Sequence, residues 1–525
     1  MGEDNQTLRH DDSKIESYKF PKEWCISKIS NLCSQLQYGY TTKASDKGDL
    51  KLLRTTDITR GKIDWNLVPF CSTNPADPEK YLLKEGDIVI SRAGSVGFSY
   101  LLEKPEDSVF ASYLIRFRPY IDKKFFKYFL DSPLYWREIS EKKLGIAVPN
   151  VNANKLKQIP LPVPPLPEQR RIVSKLEELL SELDKGIESF KMAREQLIVY
   201  RQAILKNAFE GKLTEEWRRK HADELESAET LLEKIKAERE QRYRQQQDDW
   251  KRAVKAWEAS GKVDKKPTKP GKPKELPPLT EAELSELPKL PDGWAWIRFH
   301  NMVLESCLGK MLDKSKNVGT PIPYLRNINV RWGSFDLSDL LNMKFEEAEK
   351  ERYGLQSGDL IICEGGEPGR CAIWKQSNSD MRIQKALHRV RFPTKSIANK
   401  FAYYFMLFSS SNGHLSKFFT GTTIKHLTGK GLANLEFPVS SIAEQNQIVD
   451  QIESRLSAAE RLEQDIANGL KQAEALRQSL LKKAFEGRLV PQDPNDEPAS
   501  VLLERIRAEK AKPKQKARKL KKVAV

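Results

Sequence analysis

The octapeptide KNAFEGKL at Lys206–Leu213 recurs as KKAFEGRL at Lys482–Leu489, 276 positions later. The match continues upstream without a gap. Between Glu168–Leu213 and Glu444–Leu489, 17 of 46 positions are identical, far more than chance gives. An internal repeat of this length predicts that one structural unit is built twice, so it constrains the fold before any other pattern does.

Each copy of the repeat has the pattern of one long helix. The apolar positions recur every seven residues, which is typical of a coiled-coil seam. In the first copy they are Leu176, Leu183, Phe190, Leu197 and Ile204, with Leu179, Ala193 and Tyr200 between them on the seam, and in the second Ile452, Ala459, Ile466, Ala473 and Leu480. Gly211 and Gly487 stand where a left-handed C-terminal cap is expected. A seam this long needs a partner, so we predict that the two helices pair antiparallel. Two separate helices, each packed on its own domain, are the alternative.

Shorter matches relate two globular regions that precede the helices. KLLRTTDI (Lys51–Ile58) aligns with PYLRNINV (Pro323–Val330), and LKEGDIVISRAGSVG (Leu83–Gly97) with LQSGDLIICEGGEPG (Leu355–Gly369). Alternating apolar strings followed by Gly-rich turns indicate strands. The predicted fold class is therefore α+β: two α/β domains, each followed by a long α-helix, with the helices paired as an antiparallel coiled coil and an internal pseudo-twofold symmetry.

The predicted organisation has six segments. They are a first domain at residues 1–163, a first long helix at 164–213, a charged helical and Lys/Pro-rich spacer at 214–289, a second domain at 290–439, a second long helix at 440–489, and a short helix with a basic tail at 490–525. The spacer includes KKPTKPGKPKELPPL, which is too rich in Pro and Lys to fold alone. ETLLEKIKAERE in the spacer and SVLLERIRAEKA near the C-terminus repeat each other, and both are predicted to be short docking helices.

The composition indicates a basic protein with a polyanionic partner. The 525 residues include 89 Lys and Arg against 73 Asp and Glu, a net charge of +16. Nucleic acid is the first partner class that such a charge suggests, although 8 of the 13 residues at Lys510–Lys522 are basic and supply half of the excess. The six cysteines form no CxxC pair, and no apolar run approaches the roughly 18 residues of a membrane span. We therefore expect a soluble cytoplasmic protein with no membrane partner.

Motifs for catalysis are missing from the sequence. It contains no GxxxxGK[ST] phosphate loop, no Rossmann-type glycine fingerprint and no Asn-Pro-Pro-aromatic element of an adenine methyltransferase. The six histidines show no metal-ligand spacing with one another or with the cysteines. The sequence therefore predicts recognition and assembly, with no metal and no cofactor on this chain.

Where PPLPEQRRIV leads into a long helix that ends AFEGKLTEEWR, the chain resembles the specificity subunit of type I restriction-modification systems. The resemblance covers nearly the entire chain. It implies a non-catalytic subunit that places two modification subunits, which bind S-adenosylmethionine, and two restriction subunits, which use ATP and Mg²⁺, on a bipartite site in double-stranded DNA. It also implies adenine methylation by the modification partner when one strand is already methylated, and restriction when neither strand is.

Candidate DNA-contacting residues lie at strand ends and Gly-rich turns. Arginine can bind guanine, asparagine or glutamine can bind adenine, and glutamate can accept from cytosine. The candidates for reading bases are Arg54, Thr55, Ser91, Arg92, Ser95, Arg326, Asn327, Glu364 and Gln384. Those for binding phosphates, which position the protein without specifying sequence, are Lys124, Lys142, Lys143, Arg391, Lys417 and Lys425. The alternative for each is ordinary surface charge or a buried structural pair.

The helix ends are candidate docking sites for partner subunits, because an internal twofold duplicates its interfaces. The partner-binding candidates are Phe209, Gly211, Phe485 and Gly487, with the two aromatic rings as anchors. Alternatively, each ring caps its own helical seam. The helices are more alike than the domain interiors, so we predict a non-palindromic target. A coiled-coil scaffold that binds proteins without reading DNA, and a stand-alone DNA enzyme, are the competing interpretations.

Overall fold

The structure, a computed structural model, describes residues 19–34, 36–59, 61–143, 151–263, 266–313, 318–377, 380–393 and 398–512. The chain divides into two compact units. Unit 1 comprises residues 1–192 and 466–525, and unit 2 comprises residues 193–465. Each unit therefore contains segments from both halves of the repeat.

The first globular domain, in unit 1, is mixed α/β. Its elements are β1 (Cys25–Lys28), α1 (Ile29–Leu32), β2 (Gln37–Tyr38), β3 (Ala44–Ser45), β4 (Lys51–Leu53), α2 (Thr55–Ile58), β5 (Phe70–Cys71), β6 (Ile88–Ser91), β7 (Ser99–Leu101), β8 (Ser108–Phe110), β9 (Leu114–Phe117), α3 (Lys123–Asp131), α4 (Pro133–Lys143), α5 (Ala153–Lys157) and β10 (Pro160–Val163). The strands form a sheet of order β2-β9-β6-β7, a sheet of order β3-β5-β4-β8 and the pair β1-β10. The antiparallel β1-β10 pair joins the first strand of this domain to its last strand.

A long helix and two further helices connect the domains. They are α6 (Leu166–Phe209), α7 (Glu215–Lys220) and α8 (Ala228–Ala259), and the short α9 (Glu281–Ser285) follows. The described part of the chain contains no helix long and apolar enough to cross a membrane.

The second globular domain, in unit 2, repeats the plan of the first. Its elements are β11 (Ala295–Arg298), β12 (Glu305–Leu308), β13 (Thr320–Leu325), β14 (Val330–Arg331), β15 (Ser334–Phe335), β16 (Leu341–Phe345), α10 (Glu347–Tyr353), β17 (Leu360–Cys363), β18 (Cys371–Ile373), β19 (Arg382–Ile383), β20 (Leu387–Arg391), α11 (Ala398–Ser411), α12 (Gly429–Asn434) and β21 (Glu436–Val439). The sheet β12-β20-β17-β18 corresponds to β2-β9-β6-β7, and the pair β11-β21 corresponds to β1-β10. The second long helix, α13 (Ile442–Phe485), and α14 (Ala499–Ala511) complete the chain.

A buried aspartate fixes the turn into each central strand, β6 or β17. The carboxylate of Asp87 accepts from Arg118 Nε at 2.6 Å, and that of Asp359 accepts from Arg391 Nε at 2.7 Å. Each carboxylate also accepts the backbone N–H three residues before it. The carboxylates are 3% and 1% exposed, so each needs its arginine to offset the loss of hydration. The Gly-Asp dipeptide that recurs in the sequence therefore has a structural role, because its aspartate holds the turn before each central strand.

The long helices α6 and α13 pair antiparallel, as predicted. In unit 1 the first part of α6 lies against the last part of α13, where Arg477 forms an ion pair with Asp184. In unit 2 the last part of α6 lies against the first part of α13, where Arg201 donates to Glu463 at 2.8 Å. The predicted seam positions of both helices are buried or half-buried except Tyr200, which is 43% exposed, so the heptad assignment is confirmed at every predicted position but that one.

Each long helix ends at the phenylalanine of the repeated octapeptide, four residues earlier than the sequence suggested. Gly211 and Gly487 have φ of 71° and 69°, which confirms the left-handed caps. The N–H of the residue after each glycine donates to the carbonyl five residues before it, at 2.8 and 2.9 Å. The EGKL and EGRL residues thus terminate the helices rather than extend them.

The two terminal phenylalanines are buried in the globular domains. Phe485 is 1% exposed, and its ring centroid lies 5.0 Å from Phe125 and 5.6 Å from Phe129 in α3. Phe209 is 3% exposed and contacts three phenylalanine rings of α11 at 5.2 to 5.5 Å. This burial corrects the prediction that the rings bind a partner subunit. It agrees in part with the alternative, because the core that contains Phe209 also contains the seam residues Ile204 and Ile452. Each fastens a helix to the domain of the other repeat half.

The predicted docking helices do dock, and both use a cation. In α8, Arg239 Nε donates to the carbonyl of Val303 at 2.8 Å. In α14, Lys510 Nζ donates to the carbonyl of Cys33 at 2.9 Å. These carbonyls follow a short helical turn at the same place in each domain, and cations are favoured at helix C-termini. The first docking helix is longer than expected, because α8 continues to Ala259.

We expect Phe485→Ala to lower the free energy of unfolding of unit 1 by about 3–5 kcal/mol, the usual cost of deleting a buried phenyl ring. Urea unfolding followed by tryptophan fluorescence measures the change. Leu476→Ala on the same helix is the control, because Leu476 is exposed and its loss should cost less than about 0.5 kcal/mol. Equal midpoints for the two variants would contradict the assigned role of Phe485.

Candidate nucleic-acid interface

Two Gly-rich turns with the same backbone frame follow the central strands. Turn 1 is Arg92–Gly97, after β6, and turn 2 is Glu364–Gly369, after β17. The N–H of Arg92 donates to the carbonyl of Tyr113, and that of Glu364 to the carbonyl of Ala386, both at 2.9 Å. In each turn the last glycine donates back to the final residue of the strand. Equivalent frames therefore present different side chains.

Turn 1 carries a cation among exposed aromatic rings. The guanidinium of Arg92 lies 5.3 Å from the ring centroid of Tyr38, and its Nε donates to the carbonyl of Ser112 at 2.9 Å. Tyr113 is 58% exposed, and Tyr38 is also exposed. The remaining guanidinium nitrogens and these flat rings suit hydrogen bonding and stacking on bases.

Turn 2 carries a carboxylate beside a polar loop. The carbonyl of Glu364 accepts the N–H of Leu427 at 2.7 Å, which places residues 421–425 next to the turn. That loop is exposed throughout, including Lys425 and the apolar Ile424. Its base is held by His388, which is 1% exposed and bonded through Nε2 to the carbonyl of Leu427 at 2.8 Å; burial lowers the pKa of this imidazole.

The predicted base-reading arginines Arg54 and Arg326 are bound within their own domains. Arg54 forms a bidentate pair with Asp57, with bonds of 2.9 and 3.1 Å, and hydrogen bonding to this carboxylate raises the pKa of the arginine. Arg326 donates to Asp339 at 2.7 Å. Both guanidiniums are occupied by carboxylates, so the structure favours the alternative of a structural pair over guanine binding.

The other base-reading candidates divide by exposure. Ser91 is fully buried and donates to the carbonyl of Ala93 at 3.1 Å, so it is a structural residue rather than a reader. The Thr55 hydroxyl is buried without a hydrogen-bond partner among the described residues. The candidates that remain accessible are Arg92, Ser95, Asn327, Glu364 and Gln384. Asn327 adjoins turn 2, where its Nδ2 lies 3.5 Å from the carbonyl of Gly365.

Two of the phosphate-binding candidates are corrected by their ion pairs. Arg391 is the partner of buried Asp359 described above, and its side chain is 14% exposed. Lys124 donates to Glu177 at 2.5 Å, and the same pairing recurs in the other half between Lys400 and Glu453. Pairs that the repeat duplicates belong to the scaffold.

The remaining phosphate candidates are lysines. Lys425 and Lys417 are exposed, and the latter lies 3.8 Å from Glu286. Lys142 and Lys143 stand at the end of α4, but their side chains lie outside the described part of the structure. The described residues contain no cluster of His, Cys, Asp or Glu suited to a metal ion.

The aromatic residues beside turn 1 and the loop beside turn 2, residues 421–425, were not among the predicted sites. Tyr38 and Tyr113 are separated in sequence and both contact Arg92 only because the sheet β2-β9-β6-β7 brings them together, whereas the Phe98 ring packs against Trp136. A single exposed apolar residue such as Ile424 belongs to no apolar periodicity in the sequence, so the pattern does not identify it. The pairing of Tyr113 with Arg92 through the backbone becomes visible only once strand register is known.

Comparison with known proteins gives a consistent result. Residues 21–189 and 308–472 match the family described as type I restriction modification DNA specificity domain. The type I restriction enzyme EcoKI specificity subunit of Escherichia coli strain K12 is 26% identical over 517 residues, which covers 94% of this chain and 97% of that protein. The StySPI specificity subunit of Salmonella potsdam is 22% identical over 522 residues, with 94% and 96% covered.

Solved structures share the fold. The HsdS subunit from Thermoanaerobacter tengcongensis superimposes with a TM-score of 0.53 at 18% identity, covering 90% of this chain and all of that one. A chain from a structure described as the basis of complex assembly and conformational transition of the type I R-M system gives a TM-score of 0.57 at 17% identity, with the same coverage.

We expect Arg92→Ala to relax the preference for one base pair by about 1–3 kcal/mol, the worth of one bidentate contact to a base. Duplexes selected by the full chain from a randomised pool measure this preference. Arg54→Ala is the matched control, because its guanidinium is held by Asp57 and its loss should leave the selected sequence unchanged. Identical selected sequences for wild type and Arg92→Ala would remove Arg92 from the interface.

Proposed function

Because the chain belongs to the type I restriction-modification DNA specificity family, we propose that it is the subunit that reads an asymmetric, bipartite DNA site for such a complex. Each globular domain contacts one half-site through its Gly-rich turn. The long helices hold the two domains so that protein geometry sets the half-site spacing. The chain itself performs no chemistry.

One observation carries the proposal of an asymmetric site: equivalent backbone frames present opposite charges. Arg92 and Glu364 occupy the same position in turns 1 and 2, with the same 2.9 Å bond to the neighbouring strand connection. Arginine is suited to guanine and glutamate to the amino group of cytosine. Beside them stand exposed Tyr113 and the small Ala386. Two readers that differ in charge and size favour two different half-sites.

We propose that two modification subunits and two restriction subunits join this chain on DNA. The modification subunits bind S-adenosylmethionine and methylate adenine, and the restriction subunits use ATP and Mg²⁺. The repeat supports paired docking sites, since equivalent surfaces bind equivalent partners. Tyr200 and Leu476 occupy equivalent positions of the repeat and are 43% and 50% exposed on α6 and α13. These residues replace the buried phenylalanines as anchors.

The proposed function is tested by sequencing methylated bases in genomic DNA from cells that express this chain with the modification subunit of the same system. We expect a bipartite motif with two different halves, and we expect it to vanish when this chain is deleted. Methylation that is the same without the chain would overturn the proposal and favour a coiled-coil scaffold that binds proteins only.

The docking surface is tested by Tyr200→Ala combined with Leu476→Ala. We expect this double variant to bind the modification subunit at least tenfold more weakly, because aromatic and large apolar anchors dominate interfaces. Co-purification and calorimetry measure the loss. Leu462→Ala is the control: Leu462 is equally exposed on α13, but its repeat equivalent is Gly186, so the repeat does not duplicate it. A double variant that binds like the control would contradict the assignment.

A further inference from the structure

The second part of α8 and the Lys/Pro-rich segment that runs beside it form a basic hairpin, defined as residues 241–263 and 266–274. These 32 residues contain ten Lys and Arg against three Asp and Glu, a net charge of +7. This is a large share of the +16 of the whole chain. The hairpin belongs to unit 2 and extends beyond the docking segment that α8 shares with α14.

The Lys/Pro-rich segment runs back along α8 in a fixed register. Lys266 Nζ lies 5.8 Å from the ring centroid of Trp257, and Lys269 Nζ lies 5.8 Å from that of Trp250. Each three-residue step along the segment therefore matches a seven-residue step along the helix. Three residues of polyproline helix span about 9 Å and seven residues of α-helix about 10.5 Å, so the two periods nearly coincide.

Hydrogen bonds hold the segment at both its middle and its end. Trp250 Nε1 donates to the carbonyl of Pro267 at 3.0 Å. The register continues two heptad steps further, because Lys236, 14 residues before Trp250, forms an ion pair at 3.2 Å with Glu275, six residues after Lys269. Beyond it, Arg298 Nε donates to the carbonyl of Pro277 at 3.0 Å. A segment too rich in Pro and Lys to fold alone is thus ordered by the helix beside it.

The charges of this hairpin are not neutralised internally. Six exposed lysines have no carboxylate partner among the described residues: Lys255, Lys262, Lys266, Lys269, Lys272 and Lys274. The aspartates of the hairpin helix are occupied, since Asp248 pairs with Lys251 and Asp249 with Arg252. A cation over an aromatic ring keeps its full charge and remains open to an anion on its other side.

From this arrangement we infer that the basic hairpin binds the sugar-phosphate backbone of double-stranded DNA without regard to sequence. The inference rests on the proposed function for the identity of the polyanion. Trp250 and Trp257 of the hairpin face the segment, and lysine is the commonest exposed residue on the hairpin surface. Lysine is depleted in protein interfaces. Lysines that neutralise phosphates release counterions, so the contact adds affinity and salt dependence but no base preference.

The test measures binding of the full chain, in complex with its modification subunit, to a duplex that contains the site and to a scrambled duplex of equal length. Dissociation constants are determined at salt concentrations from about 50 to 300 mM, a range over which phosphate contacts change the affinity strongly. One variant changes Lys255, Lys272 and Lys274 to Gln, which leaves the tryptophan contacts intact. A second changes all six lysines to Gln, and a matched control changes all six to Arg.

We expect the slope of log K against log salt to fall by about 0.9 for each lysine that contacts a phosphate, equally on both duplexes. The Arg variant keeps the wild-type slope, and all variants keep the wild-type methylation motif. Gln variants with the wild-type slope overturn the inference. Gln variants that fail to assemble with the modification subunit, while the slope is unchanged, also overturn it and assign the lysines to a protein partner. Failure of the proposed function appears separately, as a wild-type complex that does not distinguish the two duplexes.

Discussion

The architecture depends on the burial of each long helix's terminal phenylalanine in the domain of the other repeat half. Removing one such side chain from water stabilises a fold by roughly 1.5–3 kcal/mol. The glycine caps behind the rings are equally constrained: a Cβ on Gly487 would lie 2.4 Å from Pro21, and one on Gly211 would lie 2.3 Å from Pro291. The octapeptide occurs twice because each copy fits an equivalent site in a globular domain, made of phenylalanine rings and a proline. We call these two sites the sockets.

Outside these sockets, the two repeat halves share the same supporting interactions but differ in the exposed side chains of their Gly-rich turns. The Asp–Arg pairs before the central strands, the docking cations of α8 and α14 and the backbone bonds of the two turns all occur twice. The side chains on the turns do not. Under the proposed function, a few exposed positions on the turns would change the recognised sequence while the core and the caps stay the same, which separates the fold from what it recognises.

The long helices and their antiparallel pairing could be predicted because a seven-residue period is a direct physical signal of a buried seam. The strands after Gly-Asp were predictable for a similar reason. The burial of Phe209 and Phe485 was not, because an aromatic residue at a helix end suits a core and an interface equally well. Among the candidate contacts, the pair of Arg54 with Asp57 is local in sequence, whereas Asp359 is 32 residues from Arg391 and meets it only across the sheet. Long-range pairing of this kind leaves no trace in the local pattern.

The socket in unit 1 also constrains when this chain can finish folding. Phe485 follows Phe129 by 356 residues, and a ribosome that adds about 5–20 residues per second needs roughly 20–70 s to cover that interval. Until then the first domain lacks the ring that closes its core. Unit 2, by contrast, is one contiguous stretch, residues 193–465. The unit that begins first during synthesis is therefore completed last. The apolar surface of α3 stays uncovered until the end of α13 has been synthesised.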